Sequence, residues 1–222
     1  MDLSRLEGLV KEKIEVIKNL NILIIGLGGV GGYCVESLVR CGVSNITLVD
    51  NDIIELSNIN RQLIALSNNI GKYKTEMWKE RILLINKDAN VKLITERIDE
   101  SNIYKLFEEK YDYIIDACDT SKVKEELIKI CYKNKIKIVS SMGMARKMDA
   151  SKIIITKLNK TTNDPLAKKI RKNLTLEEMK YTTVITSLEN SVKSDKLYSN
   201  SFVPAVAGLL ITSYIINDIV NK

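Results

Sequence analysis

The 222-residue chain contains no histidine. That absence excludes Ser-His-Asp and Cys-His catalysis, imidazole acid–base chemistry and His-ligated zinc. Cysteine is scarce as well. Cys34, Cys41, Cys118 and Cys131 form no CxxC pair, so neither a thiolate zinc site nor a thioredoxin-type redox motif is encoded. Cys34 and Cys41 lie two helical turns apart and Cys131 falls in an apolar helical pattern, which predicts buried, reduced thiols. With two prolines and ten glycines the chain has no Gly/Pro-rich linker, and it shows no low-complexity tract or internal repeat. Long hydrophobic runs are missing too. The longest, residues 202–216, is interrupted by Thr212, Ser213 and Tyr214 and falls short of the ~20 residues of a membrane span, so no span is expected and a buried or interface helix is. The first thirteen residues carry six charges and no apolar signal-peptide core, giving the expectation of a cytoplasmic protein.

What is present describes an ordinary folded protein. Hydrophobic residues make up 45% and charged residues 28%, and the length suits one large domain. A globule of this size buries roughly 70% of its unfolded surface and needs no disulfide or metal to hold a core. The net charge is +6. Residues 151–180 hold eight Lys/Arg against three acids, nearly the whole excess in one stretch. Such a stretch permits a polyanionic partner; a solvated helix face in a lysine-rich protein would carry the same charge.

Short β-branched runs at 22–25, 46–49, 91–94, 113–115 and 136–139 read as buried parallel strands. Between them lie helical patterns: Val123, Leu127, Ile130 and Cys131; Met77, Leu84 and Ile85 behind Lys74; and Leu6, Leu9, Val10, Ile14 and Ile17 before the first strand. Strands alternating with helices predict an α/β fold, a Rossmann-like, doubly wound, mainly parallel sheet with helices on both faces. After residue 150 the rhythm changes to two strands, 153–156 and 181–187, around a helical segment at 164–173 that opens on Asp164-Pro165. The whole chain, 1–222, therefore reads as a single domain: a nucleotide-binding core at 1–150 and a basic C-terminal α+β elaboration at 151–222.

The first strand runs into Gly26-Leu27-Gly28-Gly29-Val30-Gly31-Gly32, in which Gly26, Gly28 and Gly31 satisfy G-x-G-x-x-G. Without Cβ atoms, backbone N–H groups can approach phosphate oxygens at the positive N-terminus of a helix. The second strand ends at Asp50, where a carboxylate can accept hydrogen bonds from ribose hydroxyls. Alone, this pattern means a nucleotide-binding unit with NAD as the simplest cofactor. Downstream residues favour a nucleoside triphosphate: Asn58-Ile59-Asn60-Arg61-Gln62, then Lys74, then Asp116-Ala117-Cys118-Asp119-Thr120 at the end of a later strand. Two cations neutralise phosphates, and a strand-end carboxylate can hold Mg²⁺. Singly, Arg61 reads as a surface cap, Lys74 as a solvated helix charge and Asp116 as a turn former. Jointly, in this order and spacing, coincidence is a poor account.

Through the glycine loop, Asp50-Asn51-Asp52, Asn58-x-Asn60-Arg61-Gln62, Gly71-x-x-Lys74 and Asp116-x-x-Asp119, the chain resembles the ubiquitin-activating-enzyme-like adenylyltransferases, among them the molybdopterin and thiamine sulfur-carrier activators. The resemblance implies an ATP site formed by Gly26, Gly28, Gly29, Gly31, Asp50, Asp52, Asn58, Asn60, Arg61, Gln62, Lys74, Asp119 and Thr120. Within it Asp50 would hold the ribose, Asn58, Arg61 and Lys74 the phosphates, and Asp119 the Mg²⁺. It also implies a homodimer in which Arg5 reaches the partner's ATP, so Arg5, Arg61, Lys74 and Asp119 are the catalytic candidates. Ser140 to Asp149, Lys160 to Ala167 and Ser201 to Gly208 look like the tRNA threonylcarbamoyladenosine dehydratase branch of that family. Ala150 stands where the branch has proline, and the connection from Ser187 to Phe202 is short.

That branch implies ATP-dependent cyclisation of a modified adenosine beside the tRNA anticodon, with Mg²⁺ and without zinc. The runner-up is an adenylyltransferase for a ubiquitin-like sulfur carrier, and a non-catalytic NAD-binding module is a third reading. Lys168, Lys169 and Arg171 in the basic stretch, and Arg146 and Lys147 after the 136–139 strand, are the candidate tRNA contacts. A sulfur-relay protein is a further partner the resemblance leaves open.

Overall fold

The computed structural model describes residues 1–221. Seven strands form one sheet in the order β3-β2-β1-β4-β5-β7-β6. They are β1 (Asn21–Ile25), β2 (Asn45–Val49), β3 (Asn90–Ile94), β4 (Tyr113–Asp116), β5 (Lys137–Ser141), β6 (Ile153–Lys157) and β7 (Thr183–Ser187). All neighbours pair in parallel except β6 and β7, which are antiparallel. The strand order reverses between β1 and β4, and that switch point opens a crevice at the strands' carboxyl ends.

Successive residues of the central strands feed two separate cores, because strand side chains alternate between faces. Ile22, Ile24, Ile46, Leu48, Ile115 and Val139 pack with α2 (Ile14–Lys18), α3 (Gly31–Arg40), α4 (Lys74–Ile85) and α8 (Val203–Val220). Leu23, Ile25, Val49, Ile114, Ile138 and Val184 pack beneath α5 (Ser121–Asn134), α6 (Pro165–Ile170) and α7 (Leu176–Tyr181). Burial on both faces is why these runs are continuously apolar.

Five expectations change in detail. The 91–94 strand is present, but it forms the sheet edge and none of its residues is buried. The N-terminal amphipathic segment is not one helix: Lys11, at φ 52°, breaks it into α1 (Ser4–Val10) and α2, and Leu9 points outward. The strand expected at 136–139 begins one residue later and continues to Ser141, and Tyr181 ends α7 rather than opening β7. The helix expected at 164–173 stops at Ile170 in a 3₁₀ turn; Asp164 caps it by accepting from Ala167 N–H at 3.0 Å, with Pro165 in the first turn.

The last apolar run becomes α8, an 18-residue helix apolar enough by length and composition to cross a membrane. In this fold its Val203, Ala207, Ile211 and Ile215 stripe is fully buried, as i, i+4 spacing dictates. Thr212 reaches Ser37 of α3 at 2.6 Å. A Cβ at Gly208 would stand 2.3 Å from the Val30 carbonyl, and one at Gly29 would meet Pro204 at 3.2 Å. The C-terminal helix thus lies directly behind the glycine loop, and β7 lies beside β5 in the same sheet.

Candidate active site

The crevice holds a cavity of about 550 Å³. Its floor is the glycine loop between β1 and α3. Gly26 sits at φ +88°, and a Cβ there would lie 2.6 Å from the Ala117 carbonyl, so the loop and the segment after β4 touch backbone to backbone. A Cβ at Gly31 would fall 1.8 Å from the Gly26 carbonyl, which is why the turn into α3 closes so tightly. Gly31 is buried under the loop; Gly28 and Gly29 face the cavity.

At the end of β2, Asp50 accepts from the Leu27 N–H at 2.7 Å and from the Asp52 N–H at 2.8 Å, tying the loop to the second strand. Burial pushes its carboxyl above the ordinary range, and the Lys74 ammonium 3.8 Å away opposes that shift. Lys74 is the first residue of α4 and is not a solvated helix charge. It is buried, with its ammonium 2.6 Å from Asp52, whose carboxylate is mostly exposed and free to yield it. Asn58 is buried and caps its own 3₁₀ turn by accepting from Glu55 N–H at 3.2 Å. Arg61 lines the cavity, steadied by the Ser57 carbonyl at 2.8 Å and Asn60 Oδ1 at 2.9 Å. Gln62 is buried at the cavity wall.

Asp119 and Thr120 complete the opposite wall; both are exposed. Cys118 beside them donates its thiol to Asp116 Oδ1 at 3.1 Å, and burial, then the Asp116 charge, push its pKa well above the usual thiol range. Both causes disfavour the thiolate, the nucleophilic form of cysteine. Glu96 and Arg97, from the loop after β3, also line the cavity. Sequence reasoning missed both, since they belong to no motif, and only the parallel pairing of β3 with β2 brings that loop to the crevice.

Other expected site residues lie apart from this cavity. Asn60 is exposed and donates to the Ser199 carbonyl at 3.1 Å. Arg5 is exposed on α1. Arg146 takes φ 60°, and its guanidinium donates to the Ser194 carbonyl at 2.8 Å. Lys147 is buried, its ammonium on the Glu189 carbonyl, and desolvation lowers its pKa. Both therefore stitch the loop after β5 to the 188–201 connection. Lys168 and Lys169 are exposed on α6, while Arg171 just beyond it donates to Thr161 Oγ1 at 2.8 Å. Among the described residues, no group of three or more His, Cys, Asp or Glu side chains is placed to hold a metal ion.

A glycine loop at the switch point, an acid at the end of β2, and Arg61, Lys74 and Asp119 lining the same cavity mark a Rossmann-like nucleotide-binding protein. Comparison with known proteins narrows the class. Residues 3–221 match the model of the ThiF family, and the chain belongs to that family. It is 35% identical to the tRNA threonylcarbamoyladenosine dehydratase of Bacillus subtilis, across 94% of this chain and 90% of that protein. The structure superposes on Escherichia coli tRNA N6-threonylcarbamoyladenosine dehydratase in complex with ATP with a TM-score of 0.92, at 31% identity, over 99% of this chain and 92% of that one. An adenylyltransferase and sulfurtransferase of Vanderwaltozyma polyspora is 34% identical, but over 64% of this chain and 31% of its own length.

Proposed function

We propose that the protein is an ATP-dependent tRNA threonylcarbamoyladenosine dehydratase. The observation that carries this reading is the likeness to enzymes of that name over nearly the full length of both chains, joined to a cavity in which Arg61, Lys74 and Asp119 face one glycine loop. The shorter match to the sulfur-carrier type of adenylyltransferase supports the runner-up less well.

The chemistry follows from the residues. A carboxylate resists attack because oxide would have to leave. The threonyl carboxylate attacks the α-phosphorus of ATP, pyrophosphate departs, and the acyl-adenylate carries AMP as a competent leaving group. The neighbouring carbamoyl group then closes on the activated carbonyl and AMP leaves with the former carboxylate oxygen; the nucleoside is lighter by one water. Ring closure is intramolecular, where effective molarities reach roughly 10⁵–10⁸ M. No protein nucleophile is required, in keeping with a chain that lacks histidine and disfavours the Cys118 thiolate.

In this reading Asp50 accepts from the ribose hydroxyls, and the glycine loop, Asn58, Arg61 and Lys74 hold the phosphates. Mg²⁺, when bound, supplies charge neutralisation at the departing pyrophosphate. Asp119 is the residue to hold it, which suits an ion commonly bound by one or two carboxylates plus substrate phosphates. Exposed Lys168 and Lys169 on α6, with Arg171 just beyond it, give tRNA phosphates a landing surface. Arg146 and Lys147 brace the loop after β5 against the 188–201 connection. Arg5, exposed on α1, is the group to cross to a partner's nucleotide in a homodimer, and the cytoplasm is the compartment in which such a tRNA is met.

Purified protein given ATP, Mg²⁺ and tRNA bearing threonylcarbamoyladenosine is expected to release AMP and pyrophosphate and to lighten the nucleoside by one water. Turnover with a sulfur-carrier C-terminus and none with tRNA would overturn the reading. Asp119→Asn is expected to abolish turnover without lowering the melting temperature, because the side chain is exposed; retained turnover would remove its metal role.

A further inference from the structure

Beneath the Asp119 wall lies a pair of charges that the mechanism does not use. Lys124, in the first turn of α5, and Asp116, the last residue of β4, both have fully buried side chains and meet at 2.9 Å. Neither lines the cavity, so neither can touch a nucleotide. Two charges withdrawn from water gain little over an apolar pair of the same shape, so stability alone gives no account of them.

Their bonding does. Lys124 Nζ also donates to the Ser141 carbonyl at 2.8 Å, at the end of β5. Asp116 accepts from Ser140 Oγ at 2.5 Å, from the Cys118 thiol at 3.1 Å and from the Cys118 N–H at 3.3 Å. The pair joins the two ends of residues 117–120, the segment that carries Asp119 and Thr120, and ties both to the tip of β5. The free side of that segment rests on Gly26, where the Ala117 carbonyl is in backbone contact. Ala117 N–H adds one further bond, to the Ile25 carbonyl at 2.8 Å.

We infer that Lys124 is a positioning residue: clasped to Asp116, it holds residues 117–120 at one height above the glycine loop and so sets Asp119 against the phosphate end of the cavity. The inference rests on the adenylation reading. It assigns Lys124 no contact with substrate, and it places the rigidity of the metal-holding carboxylate in a buried ion pair one layer below.

Lys124→Met alone strands the Asp116 charge and can unfold the chain, so the test is the neutral pair Lys124→Met/Asp116→Asn in the full-length protein. Hydrogen exchange at the amides of residues 117–120, measured without nucleotide, is expected to quicken by about tenfold or more in the folded double variant. The Mg²⁺ concentration for half-maximal pyrophosphate release is expected to rise by about tenfold or more, the usual loss when a supporting shell is removed. Binding of ATP in EDTA should change far less. A brace that serves stability alone would lower the melting point and leave the Mg²⁺ midpoint in place.

Parental exchange rates in residues 117–120, or a parental Mg²⁺ midpoint, overturn the inference. Should the double variant fail to fold, Ser140→Ala, which removes one bond to Asp116, is expected to move both readouts in the same direction, and no movement overturns it. The exchange measurement needs no turnover. A parent protein that releases no AMP with modified tRNA defeats the functional reading instead, and the two failures are distinct.

Discussion

Replacing Gly28 by alanine separates the two tasks of the glycine loop. Its backbone is not in the left-handed region, and a Cβ there would meet nothing closer than Gln62 Nε2 at 3.8 Å, an ordinary contact. The fold has room for the methyl group. Alanine also narrows the unfolded ensemble, which stabilises by about 0.4–1 kcal/mol. At about 2–4 °C per kcal/mol for a domain of this size, Gly28→Ala should melt about 1–4 °C above the parent. The same methyl projects into the cavity where the loop's N–H groups would meet phosphate. Losing one or two hydrogen bonds to a charged group, each about 1.5–3 kcal/mol, weakens ATP binding by roughly tenfold or more.

Gly31→Ala supplies the contrast. Its Cβ would overlap the Gly26 carbonyl at 1.8 Å, so backbone must move, at about 1–3 kcal/mol of stability or more. Calorimetric titration with Mg–ATP and a thermal melt on each variant decide the matter. Parental ATP affinity in Gly28→Ala refutes the idea that the loop cradles phosphate, and a melting loss matching that of Gly31→Ala refutes the room for a methyl group.

Three further outcomes are expected. Cys118→Ser should keep the parental rate of AMP release in the dehydration assay, since its thiolate is disfavoured; loss of turnover with intact ATP binding would make it a participant. Asp50 carries a raised pKa, so the folded state holds its proton more tightly than the unfolded one and its charge weighs against folding above that pKa. Lowering the pH through it should relieve that cost while weakening ATP binding, and Asp50→Asn should bind weakly with little pH dependence; an Asn variant that keeps the parental pH profile would refute the ribose role. Binding of tRNA should weaken steeply with salt, and Lys168→Ala/Lys169→Ala should lower the log–log slope by about 1.4–1.8; an unchanged slope removes α6 from the interface.

Much of this fold could be read from residue order because each central strand is buried on both faces and announces itself as a β-branched run. That the glycine loop, Asp50 and Lys74 line one cavity was legible for a related reason: they form a motif of particular residue types at particular spacings. The edge position of β3 was not, because an edge strand and a central one share the run Val91 to Ile94 and differ only in what lies beyond. Leu9 fitted a helical stripe that Lys11 interrupts by adopting a positive φ, which no side-chain pattern encodes. Arg146 and Lys147 looked like outward ligand contacts from their place after β5. The 188–201 connection, short and without periodicity, turns out to receive both, through the Ser194 and Glu189 carbonyls. Lys124 gave no signal at all: in a lysine-rich helix, a fully buried lysine has the same letter as a solvated one.

Because α8 lies against Val30 and Gly29, an element late in chain order backs one of the earliest turns. Residues 1–123 supply every residue that lines the cavity, yet the turn between β1 and α3 gains its backing from α8 only about eighty residues later in the chain. ATP should therefore fail to protect chains clipped before α8 from protease, and chains that include α8 should acquire that protection in one step.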